Sequence, residues 1–279
     1  MTMKESPASI ADLFDLTGTT AMVTGGCGLL GDVFCRALST FGASVAIIDL
    51  AESEPDRAAV ELSKAYGGGA IGVVCDVSSP DSVAAAVTRT EQEFGSVDVL
   101  VNNAAAKPSD MREWVRPAEE FSLDIWREVM AVNLDGLFLM SRSVGRSMIS
   151  GKRGGSIIHI SSVYGTLAPN PAIYEGSSHL GGPMNTPPVY SASKAGVVGL
   201  SRYLAAYWAP HGIRVNTISP GGVASGQNAT FQERYGHRVP LGRMAEAEEL
   251  CGALVFLASR ASSYITGQNI LVDGGLSIW

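Results

Sequence analysis

Tyr190-Ser191-Ala192-Ser193-Lys194 places a phenol and an ammonium four residues apart. On a helix that spacing brings both to one face. A phenol has an ordinary pKa of about 10, too high for a base at neutral pH. Lowering it by about 3 units needs about 4 kcal/mol of selective phenolate stabilisation. One ammonium about 4 Å away supplies that order of energy at an effective dielectric near 20. Tyr190 is therefore the candidate base or acid, and Lys194 the group that tunes it. Alone, the pattern arises often by chance on apolar helices, so its meaning depends on its company.

A second cluster lies near the N-terminus. Thr24-Gly25-Gly26-Cys27-Gly28-Leu29-Leu30-Gly31 closes a short apolar run. Glycines at a strand-to-helix turn let the backbone approach a pyrophosphate, and the helix start offers free N–H groups and partial positive charge. Gly25, Gly28, Leu30 and Gly31 are the candidate contacts. The next apolar run ends at Asp49, 18 residues past Gly31 (49 − 31). A carboxylate near that position accepts a hydrogen bond from the ribose 2′-hydroxyl of NAD and repels the 2′-phosphate of NADP. No Lys or Arg follows until Arg57. The expected cofactor is NAD.

These residues need a frame that delivers strand ends to one edge. TTAMVTGG, ASVAIIDL, AIGVVCDV, VDVLVNNAA, GGSIIHISS, GIRVNTISPGG and YITGQNILVDGG read as strands, with helical stretches between them. Ser79-Pro80-Asp81 reads as a helix start. Phe121 to Met148 reads as one long helix. Nearly continuous apolar strands belong to a parallel sheet covered on both faces. The expected fold is α/β: a single-domain doubly wound parallel sheet, or Rossmann fold, flanked by helices on both faces. Residues 1–12 read as a flexible arm and 13–279 as the domain. The stretch at about 166–188 is a long irregular insert, and such loops inside compact domains are usually functional or disordered.

Bulk composition narrows the function classes. The chain has 279 residues, 46% hydrophobic and 17% charged, with net charge −7. That suits a packed globule. No basic run is present, so nucleic acid is not an expected partner. No apolar run approaches the roughly 18 residues of a membrane span, and the opening residues lack a signal-peptide core. Cys27, Cys35, Cys75 and Cys251 show no CxxC spacing and no histidine cluster, which predicts reduced thiols and no metal site. A cytoplasmic enzyme with a small-molecule substrate is expected.

From about Thr17 to Gly275 the chain resembles the short-chain dehydrogenase/reductase family, in its compact single-domain branch. The glycine turn stands at the family's cofactor loop, and Asp76-Val77 at the pair that contacts adenine. Asn102-Asn103-Ala104-Ala105 is similar to the family's NNAG strand end, with Ala105 in place of glycine. Asn133, Ser162, Tyr190 and Lys194 match its catalytic asparagine, serine and YxxxK. Pro220-Gly221 matches the turn beside the nicotinamide, with Val223 and Ser225 following. YITG and VDGG match the C-terminal end. The resemblance implies that Ser162 holds the substrate oxygen near Tyr190, and that Tyr190 exchanges the proton. It implies that Lys194 depresses the Tyr190 pKa and binds the nicotinamide ribose, beside a nicotinium charge that acts the same way. It further implies that Asn133 holds a relay water, and that the molecule is a homodimer or homotetramer. Without that company, Ser162 reads as a turn serine and Asn133 as a buried amide kinking a helix.

Two departures matter. Gly25, Gly28 and Gly31 follow TGxxGxxG, the spacing of the family's extended branch, although the chain lacks the length for an extra substrate domain. Ser162 and Tyr190 lie 28 residues apart (190 − 162), longer than usual in the compact branch. The insert and the C-terminal end look like a subgroup labelled flagellin-modification protein A, or sugar-modifying members. The insert carries Asn170, Tyr174, Glu175, His179 and Asn185 and no Lys or Arg, which suits hydrogen bonding to a sugar or polyol. Packing on a neighbouring subunit is its other reading. The polar stretch at about 223–243 is expected to be a lid. Expected substrate contacts are Ser162, Tyr164, Tyr174, Glu175, Tyr190 and Gln227; Lys107, Arg112 and Arg116 leave room for an anionic sugar. The leading expectation is NAD-linked oxidoreduction of a secondary alcohol on a carbohydrate-like substrate. Alternatives are a 3-oxoacyl or small-ketone reductase, a redox-neutral sugar-nucleotide dehydratase or epimerase, and a non-catalytic nucleotide-binding regulator.

Overall fold

The computed structural model describes residues 9–106, 111–175, 178–179, 182–183 and 185–279. Seven strands form the main sheet: β1 (Thr20–Thr24), β2 (Ser44–Asp49), β3 (Ala70–Val74), β4 (Val99–Asn102), β5 (Gly155–Ile160), β8 (Ile213–Pro220) and β9 (Asn269–Val272). Two two-residue strands, β6 (Ser178–His179) and β7 (Gly182–Pro183), pair antiparallel within the insert. The order in the main sheet is β3-β2-β1-β4-β5-β8-β9, and every pair is parallel. The chain reverses its direction of travel across the sheet between β1 and β4. That switch point opens a crevice beyond the carboxyl ends of the strands, where ligands of such sheets bind.

Helices cover both faces. They are α1 (Leu29–Thr40), α2 (Pro55–Tyr66), α3 (Pro80–Phe94), the short α4 (Met111–Trp114), α5 (Leu123–Met130), α6 (Leu137–Gly151), α7 (Pro188–Trp208), α8 (Ala229–Gly236) and α9 (Cys251–Ala258). One core unites Val33, Phe34 and Leu38 of α1 with Leu62 of α2 and Leu254 and Leu257 of α9. The other unites Val83 and Val87 of α3 with Met140 and Val144 of α6 and Leu204 and Trp208 of α7. Strand residues such as Ala21 and Met22 alternate between the two clusters, so β1 is buried from end to end. This is the burial that its continuous apolar run requires.

The sequence reading placed these seven strands, and Ser79 caps α3 as expected, accepting from the Ser82 N–H at 3.4 Å. It differs in the helices, having read none at α4 or α8. The segment read as one long helix is α5, a π-turn over Ala131–Gly136, and α6. A widened turn of this kind often marks a functional position, and here it carries Asn133. The sequence reading also passed over α9, which is apolar on almost every side and so has no polar face to reveal its period. Its entrance is marked by a capping box between Glu246 and Glu249.

The expected arm lies mostly outside the described residues. Its end begins a 3₁₀ turn over Ala11–Phe14, where the Asp12 carbonyl accepts from Arg260 at 3.1 Å. All four cysteines are free thiols. Among the described residues no helix is long and apolar enough to cross a membrane, and no group of His, Cys, Asp and Glu is placed to hold a metal ion.

Candidate active site

Three elements bring the catalytic candidates together. Ser162 follows the carboxyl end of β5, and Tyr190 and Lys194 occupy successive turns at the start of α7. The Ser162 and Tyr190 side chains line the same cavity and lie close enough to interact across the 28-residue gap (190 − 162). Ser162 Oγ also accepts from the Tyr164 N–H at 3.2 Å, which fixes its rotamer. Lys194 is buried, with its Nζ 5.8 Å from the centre of the Tyr190 ring.

The electrostatics differ from the sequence expectation. Burial raises the Tyr190 phenol above its ordinary value, and the Ser162 contact pulls against that rise. Lys194 stands beside the Tyr190 ring. Its ammonium is turned to the Ile160 carbonyl, to which it donates at 2.9 Å. Burial in turn lowers Lys194 to about 8. Asn133 is bonded at both ends of its side chain. Its Oδ1 accepts from the Ala106 N–H at 2.8 Å, and its Nδ2 donates to Ser193 Oγ at 3.3 Å. Both ends of the amide are spent tying the extension of β4 to α7.

The nucleotide candidates line the crevice at the switch point. Gly25 has φ +62°, and a Cβ there would lie 2.9 Å from Ala104 Cα. At Gly31 a Cβ would lie 2.0 Å from the Gly25 carbonyl oxygen. Only glycine lets the loop fold this tightly over α1. Gly28 caps α1 with no side-chain hydrogen bond, so the helix start has no side-chain acceptor of its own. Thr24 Oγ1 accepts from the N–H groups of Asn103 and Ala104, each at 3.0 Å. Asn103 Nδ2 donates to the carbonyls of Thr24 and Gly25. The Asp49 carboxylate accepts from the Cys27 N–H at 2.9 Å, which places it against the glycine loop. Asp76 is exposed and accepts from Ser78, while Val77 is buried against Gly136. A bare helix start, glycines that a Cβ would fill, and a carboxylate at the end of β2 together fit a dinucleotide.

A cavity of about 440 Å³ opens beside the catalytic pair. Leu30, Asn103 and Ala105 line its nucleotide side; Pro220, Gly221, Val223 and Ser225 line another wall. Of the expected substrate contacts, Ser162, Tyr164, Tyr174, Tyr190 and Gln227 line it. Glu175 does not. It is exposed and forms an ion pair with Arg234 of α8 at 3.7 Å, while Arg234 also donates to the Ala172 carbonyl. Gln227 reaches the cavity, but its Nε2 donates to the Val223 carbonyl and to Ser225 Oγ. Asn170 does not line the cavity, and its Oδ1 accepts from the Ala172 N–H.

Neither Arg112 nor Arg116 lines the cavity; Arg116 pairs with Glu113 and Glu120. Lys107 lies outside the described residues, as does the His179 side chain. Sequence reasoning missed Trp114, Thr186, Phe231, Tyr235 and Met244. Phe231 and Tyr235 sit four apart on α8, a spacing that could have announced a buried face. Tyr235 accepts from the Gly222 N–H, so α8 is anchored to the turn after β8.

The insert and α8 pack together. Ile173, Phe231, Tyr235, Val239 and Met244 share one apolar cluster with Val163 and Leu276. Tyr174 lies against Phe231 with ring centres 5.5 Å apart.

Known proteins resemble this chain in sequence and fold. A family model described as enoyl-(acyl carrier protein) reductase matches residues 30–277. Galactitol 2-dehydrogenase (L-tagatose-forming) of Cereibacter sphaeroides is 36% identical over 273 residues, covering 96% of this chain and 98% of that protein. A solved short-chain type dehydrogenase/reductase from Mycobacterium marinum is 33% identical with a TM-score of 0.84, covering 97% of this chain and 100% of that one. A gluconate 5-dehydrogenase from Burkholderia cenocepacia, solved with NADP and tartrate, is 34% identical with a TM-score of 0.84, covering 96% of this chain and 99% of that one.

Proposed function

Because the chain belongs to the short-chain dehydrogenase/reductase family, we propose that it is an NAD-linked dehydrogenase that interconverts a secondary alcohol and a ketone on a sugar- or polyol-like substrate. The observation that carries the reading is the Ser162–Tyr190 hydroxyl pair at the wall of the cavity, with Lys194 behind it. The substrate hydroxyl lies between Ser162 and Tyr190. Ser162 donates to its oxygen, and Tyr190 takes its proton as the alcohol is oxidised. Lys194 keeps positive charge near the Tyr190 phenolate that must be present to take this proton, and Ile160 fixes the direction of that charge. Asn133 is a positioning residue that holds the β4 extension against α7. Bound nicotinamide supplies the hydride acceptor. Gly25, Gly28, Leu30, Gly31 and Asn103 shape its cradle, Asp76, Val77, Ala104 and Ala105 border the nucleotide, and Pro220, Gly221, Val223 and Ser225 border the nicotinamide end.

NAD is preferred over NADP in this reading because Asp49 stands against the glycine loop. The NADP in the gluconate 5-dehydrogenase belongs to that protein. The relative that acts on galactitol moves the substrate reading toward polyols and away from the flagellin-modification subgroup. The stacked and exposed Tyr203 and Tyr207 on α7 offer a surface for a second copy, in keeping with a homodimer or homotetramer. The test is incubation with NAD and a panel of polyols, sugars, cyclitols and sugar nucleotides, following NADH. NADH formation from a polyol or sugar supports the reading. Turnover with no net NADH would assign the chain to redox-neutral chemistry instead.

A further inference from the structure

Six aromatic side chains border the cavity: Trp114, Tyr164, Tyr174, Tyr190, Phe231 and Tyr235. Trp114 meets Tyr190 edge to face, with centres 6.3 Å apart and planes at 71°. Tyr174, Phe231 and Tyr235 form a continuous row, with successive centres 5.5 and 5.9 Å apart. Several polar groups on these walls are already paired. The Tyr174 hydroxyl bonds Thr186, and the Gln227 amide bonds within its own turn.

Charge is scarce too. Among the described lining residues Lys194 alone carries an ionisable cation, no carboxylate is present, and the ammonium is given to Ile160. Arg234 is engaged by Glu175. Arg238 is close enough to favour the phenolates of Tyr164 and Tyr235, but it is not a wall residue.

An open-chain alditol carries hydroxyls on every side, and each one desolvated here would need a partner, of which these largely aromatic walls supply few beyond Asn185 and the Ser162–Tyr190 pair. A ring gathers C–H bonds onto a face. That face lies against an aromatic ring without stripping water from a polar group. We propose that the cavity selects an uncharged cyclic secondary alcohol, a cyclitol or closed-ring sugar, and that Trp114 beside Tyr190 is the residue that enforces the choice. This deepens the alcohol-oxidising reading and rests on it.

The test compares cyclic alcohols (myo-inositol and cis-cyclohexane-1,2-diol) with galactitol and gluconate, on the wild type and on Trp114→Ala and Trp114→Phe. In the wild type, kcat/KM for a cyclic alcohol exceeds that for galactitol and gluconate by at least about tenfold. Trp114→Ala lowers the cyclic value about tenfold more than the galactitol value, chiefly through KM, and Trp114→Phe restores most of it. Galactitol turned over ahead of both rings overturns the ring preference alone. Gluconate turned over first overturns the uncharged class, and loss of that activity in Arg238→Ala would assign the carboxylate to Arg238. Equal losses on ring and chain in Trp114→Ala would make Trp114 a structural residue. If NADH binds and no alcohol is oxidised, the dehydrogenase reading itself falls.

Discussion

Lys194 gives its ammonium to the carbonyl of Ile160, 2.9 Å away, while its Nζ sits 5.8 Å from the centre of the Tyr190 ring. The lysine is thus held by the last residue of β5, two positions before Ser162. One strand end sets both the cation and the hydroxyl that flank the phenol, and the catalytic group is as rigid as the sheet.

Tyr190→Phe removes the proton acceptor and keeps the ring against Trp114. Turnover falls by at least about a hundredfold, while NADH affinity measured by fluorescence titration is unchanged. Retained turnover would remove Tyr190 from the role of base.

Lys194→Met separates function from stability. The lysine falls from 10.5 to about 8 on burial, so between those pH values the unfolded chain binds more protons than the folded one. Stability therefore rises with pH across that window, and below about 8 the folded state carries the full penalty of a buried cation, about 3 kcal/mol. Losing the hydrogen bond to Ile160 returns about 1 kcal/mol of cost. Lys194→Met is expected to melt higher than the wild type at pH 7, to lose that advantage by pH 10.5, and to be inactive. A lower melting temperature across that range would show that the lysine contributes net stability.

Asp49→Ala removes a carboxylate from the glycine loop and leaves the Cys27 N–H without its acceptor. Discrimination in favour of NADH over NADPH is expected to fall by at least about tenfold, measured as the ratio of dissociation constants. An unchanged ratio would place the determinant elsewhere.

Glu175→Gln breaks an exposed ion pair neither partner of which lines the cavity. Exposed pairs are worth little, so kcat/KM is expected to change by less than about threefold. A large loss would return Glu175 to the substrate site.

The seven strands were legible because a parallel sheet demands unbroken apolar runs, and these announce themselves without tertiary context. The juxtaposition of Tyr190 and Lys194 was legible because YxxxK has one geometry on a helix. Glu175 was misplaced because it follows a 3₁₀ turn, and its neighbour Tyr174 faces the cavity while it faces Arg234. Spacing does not report which side of an irregular turn a residue takes. Trp114 had no signal, because its approach to Tyr190 is made between segments 76 residues apart (190 − 114). The π-turn at Asn133 was hidden for a related reason: its hydrogen bonds go to Ala106 and Ser193 and not along its own helix face.

Tyr174 and Phe231 meet across 57 positions of chain (231 − 174), and Arg234 reaches back to Ala172 and Glu175. The insert and α8 therefore cannot drift independently. A graft of either segment alone onto a related scaffold would expose half of a shared apolar seam, and a change in the length of one selects for a matching change in the other. The insert and α8 are one packed unit, and the two together are what to exchange in any attempt to redirect the molecule.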